Sequence, residues 1–379
     1  VTTALGAGIY VHWAFCPYVC PYCDFAKWAW APDAADRYVA ALEAEIAAAS
    51  PVPGTTVFYG GGTPNAYPAA VLIRVLDRIR ARFGVPDGAE VSTEINPDAG
   101  APGDLAALRA AGFNRLSIGV QSFVPLELQA LGRRHTPDEV IATVAGARRA
   151  GFTNVSLDLM FGVPHQTLAS WGASLDAAIA LDVDHISTYG LTVEAGTPYE
   201  RWQARDPAAF PDDDGGADCY ALAIERLTAA GYEQYEISNF ARPGFRCAHN
   251  ANYWRNGDYV GLGVGAASYR HGIRSTHTRE RTAYEAAALA GAPIPGEDEE
   301  LVGDARIGEA LMLALRTSEG VDAAAFRERY GVDVFARYAP VLAEFCAAGL
   351  LETDAGGLRL TVRGRFVAND VCGAFLAGA

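Results

Sequence analysis

Cys16, Cys20 and Cys23 stand in one stretch, Cys16-Pro17-Tyr18-Val19-Cys20-Pro21-Tyr22-Cys23-Asp24-Phe25, directly after the run Gly8-Ile9-Tyr10-Val11-His12-Trp13. Thiolates held this close on an irregular loop converge on one small volume, which suits a metal cluster. An iron–sulfur cube is held by cysteine thiolates and normally takes four. Only three are local here, so one iron is left open to an exchangeable ligand. A structural zinc site and simple buried thiols are the competing readings. Zinc generally wants a second ligand pair further along the chain, and three neighbouring thiolates repel one another without a metal. The spacing favours the cluster.

Other residues invite chemistry. Gly60-Gly61-Gly62-Thr63-Pro64 carries no Cβ over three positions, so its backbone can approach a ligand closely and offer N–H and C=O groups. A phosphate loop would need a Lys-Ser/Thr continuation that is missing, and a plain tight turn is the other alternative. Glu94, on an expected strand, is costly to bury unpaired. It is either salt-bridged in the core or an acceptor for a ligand's amine or ribose hydroxyl. Gln121, Arg133 and Asp158 carry the same ambiguity. After Cys247 comes His249-Asn250-Ala251-Asn252-Tyr253-Trp254. A neutral imidazole commonly ligates haem iron, and Tyr253 and Trp254 could stack on a macrocycle. The residues alone favour a plainer account, with His249 a hydrogen-bonded turn residue and Tyr253 and Trp254 filling core. Cys219, Cys346 and Cys372 lie in apolar helical contexts and read as core, and His12 reads as support behind the cysteine loop.

Alternating elements must hold these groups. Strands are expected at Gly8–Trp13, Thr55–Tyr59, Glu90–Ile95, Arg115–Val120, Val155–Phe161 and His185–Leu191. Helices are expected at Asp33–Ser50 with Asp33 as cap, Pro68–Phe83, Asp104–Ala111, Pro137–Ala150, Leu168–Leu181 and near Asp218–Ala230. Strand alternating with helix implies a parallel sheet with right-handed crossovers, here an incomplete (β/α)6 barrel. Function in such barrels collects where strands end, and the cysteine loop, the glycine run, Glu94, Gln121 and Asp158 all fall there. The expected division is 1–231 for the barrel, 232–290 for an extension bearing the histidine motif, 291–303 for a linker and 304–379 for a small winged-helix-like α+β domain. The acidic run Glu297-Asp298-Glu299-Glu300 reads as solvated linker or helix start.

Composition narrows the partners. A net charge of −15 over 379 residues argues against broad nucleic-acid binding, which needs basic patches. Seven cysteines, three of them clustered, argue against a disulfide framework and for a reducing compartment. No signal-like N-terminus or apolar membrane-spanning stretch is read, so a cytoplasmic location is expected.

Together, Tyr10-Val11-His12-Trp13-Ala14-Phe15-Cys16, the Cx3Cx2C loop, Gly60-Gly61-Gly62-Thr63-Pro64, Gly119-Val120-Gln121-Ser122-Phe123 and Asp158-Leu159-Met160-Phe161-Gly162-Val163-Pro164 resemble the radical-SAM superfamily. Within it they look like the oxygen-independent coproporphyrinogen III oxidase group. The resemblance implies that Cys16, Cys20 and Cys23 hold a [4Fe–4S] cluster. It also implies that Tyr10, Tyr22, Gly61, Gly62, Thr63, Glu94, Gln121, Arg133 and Asp158 bind S-adenosylmethionine. The group's true oxidases carry a fourth cysteine where Phe25 stands, and a long arm before the loop, where fifteen residues precede Cys16. Phe25 and the HNxxYW run instead resemble the radical-SAM haem chaperones of the HemW branch. That branch implies a carrier with haem candidates His249, Tyr253 and Trp254, and haem-acceptor proteins as partners. Porphyrinogen decarboxylation, or another radical-SAM tailoring reaction, is the alternative.

Overall fold

The computed structural model describes residues 6–99 and 104–377, so the outermost ends of the expected 1–231 and 304–379 segments lie outside the described residues. Six parallel strands lie side by side in chain order: β1 (Ala7–Trp13), β2 (Gly54–Gly61), β3 (Glu90–Ile95), β4 (Arg115–Gln121), β5 (Val155–Phe161) and β6 (His185–Gly190). They are mostly buried, as strands covered on both faces are. The crossovers are α1 (Pro32–Ala48), α2 (Ala69–Phe83), α3 (Asp104–Ala110), α4 (Pro137–Arg149) and α5 (Leu168–Ala180), with α6 (Asp213–Ala229) after β6. In α2, Leu72, Val75, Leu76, Ile79 and Phe83 form the buried stripe, and Gly84 at φ 56° ends the helix in the left-handed region. Thr136 and Thr167 cap α4 and α5 in reciprocal capping boxes.

The barrel does not close. Beyond β1 the sheet continues with a seventh parallel strand, β7 (Tyr259–Leu262), then with antiparallel Ala267–Arg270, Ile273–His277 and Gly296–Glu300. Beyond β6 it ends in antiparallel Asn239–Ala241 and Glu233–Gln234. A second core, including Leu311, Leu315, Phe326, Leu358 and Phe375, belongs to the C-terminal segment. There a three-stranded sheet of Val321–Asp322, Gly357–Leu360 and Leu351–Thr353 packs with helices, giving the winged-helix-like α+β unit.

Several expectations are corrected. Ala31, not Asp33, sits at the N-cap of α1, and Asp33 contributes from the first turn, where a negative charge suits the helix dipole. Helix α6 starts five residues earlier than expected, because the Asp212 carboxylate accepts from Gly215 N at 2.8 Å and caps it. The acidic run is neither solvated linker nor helix start: Gly296–Glu300 is a fully exposed edge strand paired with Ile273–His277. Its carboxylates guard that edge against further pairing. The expected linker 291–303 therefore contains a strand of the main sheet. In the C-terminal unit Val334–Arg337 and Ala339–Ala347 are two separate short helices, with Pro340 in the first turn of the second.

The rim after β4 and β5 is tied by one buried carboxylate. Glu127, 1% exposed, accepts from Ser122 Oγ at 2.7 Å, Gln166 Nε2 at 3.1 Å and Ser170 Oγ at 2.5 Å. Gln166 in turn accepts from Gly162 N at 2.8 Å. Glu127→Ala strands these donors in the interior and is expected to cost on the order of 2–4 kcal/mol. Denaturant unfolding measures it, and an unchanged midpoint would contradict the network's role.

Candidate cofactor site

The cysteine loop leaves the end of β1 and is fastened before it carries the thiols. Trp28 N donates to Ala14 O and Trp30 N to Cys16 O, each at 2.8 Å, closing the loop on itself. Cys23 N donates to Cys20 O at 3.3 Å, Lys27 Nζ donates to Cys23 O, and Arg279 pairs with Asp24. The glycine run at the end of β2 is stitched to the same loop: Gly62 N donates to Trp13 O at 2.6 Å and Thr63 N to Phe15 O at 3.0 Å. A Cβ at Gly62 would fall 2.5 Å from Trp13 O and 3.1 Å from Cys16 Sγ. Gly61, at φ 100°, lies so near the His12 ring that a Cβ would sit 2.4 Å from it. His12 is itself fixed, Nε2 to Ala26 O at 2.7 Å and Nδ1 to Tyr10 OH at 3.1 Å. Its expected supporting place is the one observed.

Cys16, Cys20 and Cys23 line one cavity of about 380 Å³, within the usual range for small-molecule sites. Tyr22, Gly61, Gly62, Thr63, Glu94, Gln121, Arg133 and Asp158 line it too. Among the described residues no group of three or more His, Cys, Asp or Glu side chains could hold a single metal ion. A tetrahedral zinc with thiolates at about 2.3 Å needs its sulfurs nearly touching. Three thiols lining one cavity of this volume leave room for a cluster. Phe25, 60% exposed, stands at the cavity wall where a fourth thiol would be.

Charge is concentrated here. Burial pushes the Cys16 thiol up to about 11, eased by a hydrogen bond with Thr63 and raised further by Cys23 and Cys20. Burial likewise raises Cys23. Arg133 donates Nη2 to Asn96 Oδ1 at 2.8 Å and to Gly119 O at 2.5 Å, and directs Nη1 at Cys20 Sγ, 3.9 Å away. A guanidinium beside thiolates stabilises their charge. Glu94 accepts from Gly61 N at 3.1 Å, and burial, then the nearby Asp158 carboxylate, push it up to about 8. Asp158 is raised by burial, against hydrogen bonds from Ser187 and Ser117 and the charge of Arg115. Gln121 sits at φ 66°, a left-handed conformation rare outside glycine, where the register between β4 and β5 shifts.

Tyr10 is the one expected cofactor residue outside this cavity. It lines an adjoining pocket of about 220 Å³ that shares Phe25, Gly61, Glu94, Asp158 and Tyr189 with the first. His249 and Tyr253 form its floor, on a short helix, α7 (Ala248–Trp254), rather than the expected turn. Glu90 accepts from Ala248 N at 2.9 Å and His249 N at 3.0 Å, so this helix plugs the barrel where the strands begin. His249 is 1% exposed, with Nδ1 against Thr56 Oγ1 at 2.7 Å and Nε2 against Tyr253 OH at 2.8 Å. Burial holds its pKa down at about 3. With both ring nitrogens engaged, it matches the plainer reading. Trp254 lies apart from both cavities, under the Arg316 guanidinium at 5.3 Å. Arg115, Ser117, Asn96 and Tyr189 belong to the site and were not singled out by sequence; only their places near strand ends pointed to the last two.

An open parallel barrel with a Cx3Cx2C loop after its first strand and a glycine run after its second defines a protein of the radical-SAM superfamily. Residues 10–178 match the Radical SAM superfamily and residues 303–367 the HemN C-terminal domain. The structure superposes on the coproporphyrinogen III oxidase HemN from Escherichia coli with a TM-score of 0.84, covering 98% of this chain and 90% of that one at 27% identity. Heme chaperone HemW of Bacillus subtilis is 36% identical over 97% of this chain and 98% of its own length. Heme chaperone HemW of Mycobacterium tuberculosis is 40% identical over 96% of this chain and 93% of its own length. The chain belongs to the HemW family, and membership implies a [4Fe–4S] cluster and S-adenosylmethionine. No described helix is long and apolar enough to cross a membrane.

Two tests follow from this geometry. Gly62→Ala is expected to abolish most cluster incorporation in a folded protein, read as iron and sulfide per chain; full incorporation would contradict the close approach. Glu94 binds a proton in the folded apoprotein up to about pH 8, whereas an unfolded glutamate releases it near pH 4.3. Its stabilising contribution is therefore full below the unfolded value and lost as pH rises through about 8. Glu94→Gln is expected to flatten the fall in unfolding free energy between about pH 5 and 8. An unchanged slope would contradict that assignment.

Proposed function

We propose that this protein is a haem chaperone that binds haem and passes it to acceptor proteins, on a scaffold carrying a [4Fe–4S] cluster and S-adenosylmethionine. The observation that carries this reading is Phe25, an exposed phenyl beside a three-thiol cavity, in a chain similar along its length to proteins named haem chaperones. Cys16, Cys20 and Cys23 hold the cluster, and Gly61, Gly62 and Thr63 offer backbone groups to the cofactor's methionine end. Glu94 accepts from its amine or a ribose hydroxyl, while Tyr10, Tyr22, Gln121, Arg133 and Asp158 complete the surround. When bound, this pair supplies one-electron chemistry that regulates or assists transfer. The three thiols must shed their protons to take the cluster up, and the Arg133 guanidinium stands 3.9 Å from the Cys20 sulfur. Nucleic acid is no part of this function, in keeping with the net charge of −15.

Titration of anaerobically reconstituted protein with haem, followed by its Soret band, tests the reading. A shifted band saturating at one haem per chain is expected, and no shift would overturn the proposal. Cys16→Ser is expected to remove the cluster's absorbance while haem affinity stays within about threefold. Loss of both would put haem at the cluster instead. The structural likeness to an oxidase favours one other reading, decarboxylation of a porphyrinogen. Anaerobic incubation with coproporphyrinogen, S-adenosylmethionine and a reductant is expected to give no protoporphyrinogen; turnover would establish the enzyme instead.

A further inference from the structure

A groove of about 850 Å³ lies between the barrel and the C-terminal unit, more than twice the volume of the cofactor cavity. It runs along the opposite face of the same strand. Tyr189 lines the cofactor cavity, whereas its neighbours Thr188 and Gly190 line the groove, since successive strand residues face opposite ways. Phe161 and Tyr220 stack at 6.1 Å and 25°, and Phe366 meets Tyr220 edge-on at 5.0 Å, which gives the groove an aromatic wall. Arg316 and Arg365, both from the C-terminal unit, also line it; burial pushes the Tyr220 phenol up to about 12, and both guanidiniums oppose that rise.

These arginines are held by neutral amides. Arg365 Nη1 donates to Gln234 Oε1 at 2.6 Å and Arg316 Nη1 to Asn369 Oδ1 at 3.3 Å. Arg316 Nε is buried with no hydrogen-bond partner. Asp212 and Asp213 line the groove at the start of α6, about 10 Å along the helix from Tyr220 at 1.5 Å per residue. Asp370 also lines the groove, beside Asn369 on the arginines' own wall. A large flat aromatic ligand with carboxylates on one edge matches its size, its aromatic wall and its two guanidiniums.

We propose that this groove is the haem site, with the propionates on Arg316 and Arg365 and the macrocycle against Phe161, Tyr220 and Phe366; it rests on the haem-carrier reading above. Trp254 then has a defined part. Its ring lies under Arg316, so the motif's last residue positions a propionate-binding guanidinium instead of stacking on the macrocycle. Among the described lining residues there is no histidine, cysteine or methionine.

The test titrates ferric haem into the full-length protein and two variants. Arg316→Ala combined with Arg365→Ala is expected to weaken binding at least about tenfold. Haem dimethyl ester, which lacks the carboxylates, is expected to bind wild type and this double variant alike. Gly216→Trp fills the groove from α6, where a Cβ meets nothing within 4 Å, so it is expected to lower haem affinity with unchanged thermal midpoint and iron content. Wild-type affinity in both variants would overturn the groove assignment and leave the carrier reading standing. Absence of any haem binding by the wild type would overturn both.

Discussion

Two backbone hydrogen bonds, Gly62 N to Trp13 O and Thr63 N to Phe15 O, join the loop after β1 to the loop after β2. They form because β1 and β2 are adjacent and parallel, so their C-terminal ends emerge at the same rim. The first loop brings the thiols and the second brings a backbone without side chains. A Cβ at position 62 would collide with both the Trp13 carbonyl and the Cys16 sulfur. The fit of cluster and cofactor ligand in one cavity depends on that closeness, and the rest of the barrel serves to hold it.

Inside the barrel, charge is kept where it is expensive. Arg115 is 2% exposed and its Nε has no hydrogen-bond partner, yet Cys247, Glu90, Tyr235 and Asp158 surround it electrostatically and keep it charged. Burial and then the Asp158 carboxylate push Glu94 toward its neutral form, and burial does the same to Asp158. A cationic ligand entering the cavity reverses that balance and draws both carboxylates into their charged state. The α7 helix seals this chamber from the opposite end, which explains why His249 is buried and satisfied. The larger groove lies instead on the outer face of β6.

Much of this was legible in the chain. The strands at Glu90–Ile95 and Val155–Phe161 have the bounds expected of them, although Ser92, Thr93 and Glu94 interrupt the first and Ser156 and Asp158 the second. The cysteine spacing and the glycine run name their own chemistry, and eight of the nine expected cofactor residues share one cavity. What stayed hidden depends on register. Ser117 meets Asp158 because β4 and β5 pair Ser117 with Ser156 and Gly119 with Asp158, so the two side chains are same-face diagonal neighbours, and no local pattern encodes that pairing. The acidic strand Gly296–Glu300 read as a loop because charge hides strand character at an edge. His249 looked like a possible ligand until its two hydrogen-bond partners, Thr56 and Tyr253, were in place.

The central claim is that three thiols hold a four-iron cube whose last iron is free to take S-adenosylmethionine. Electron paramagnetic resonance of the reduced, reconstituted protein before and after adding S-adenosylmethionine tests it most directly. The account predicts a cluster signal that shifts on addition. A signal indifferent to S-adenosylmethionine, or a protein that takes up one zinc and no iron, would contradict it.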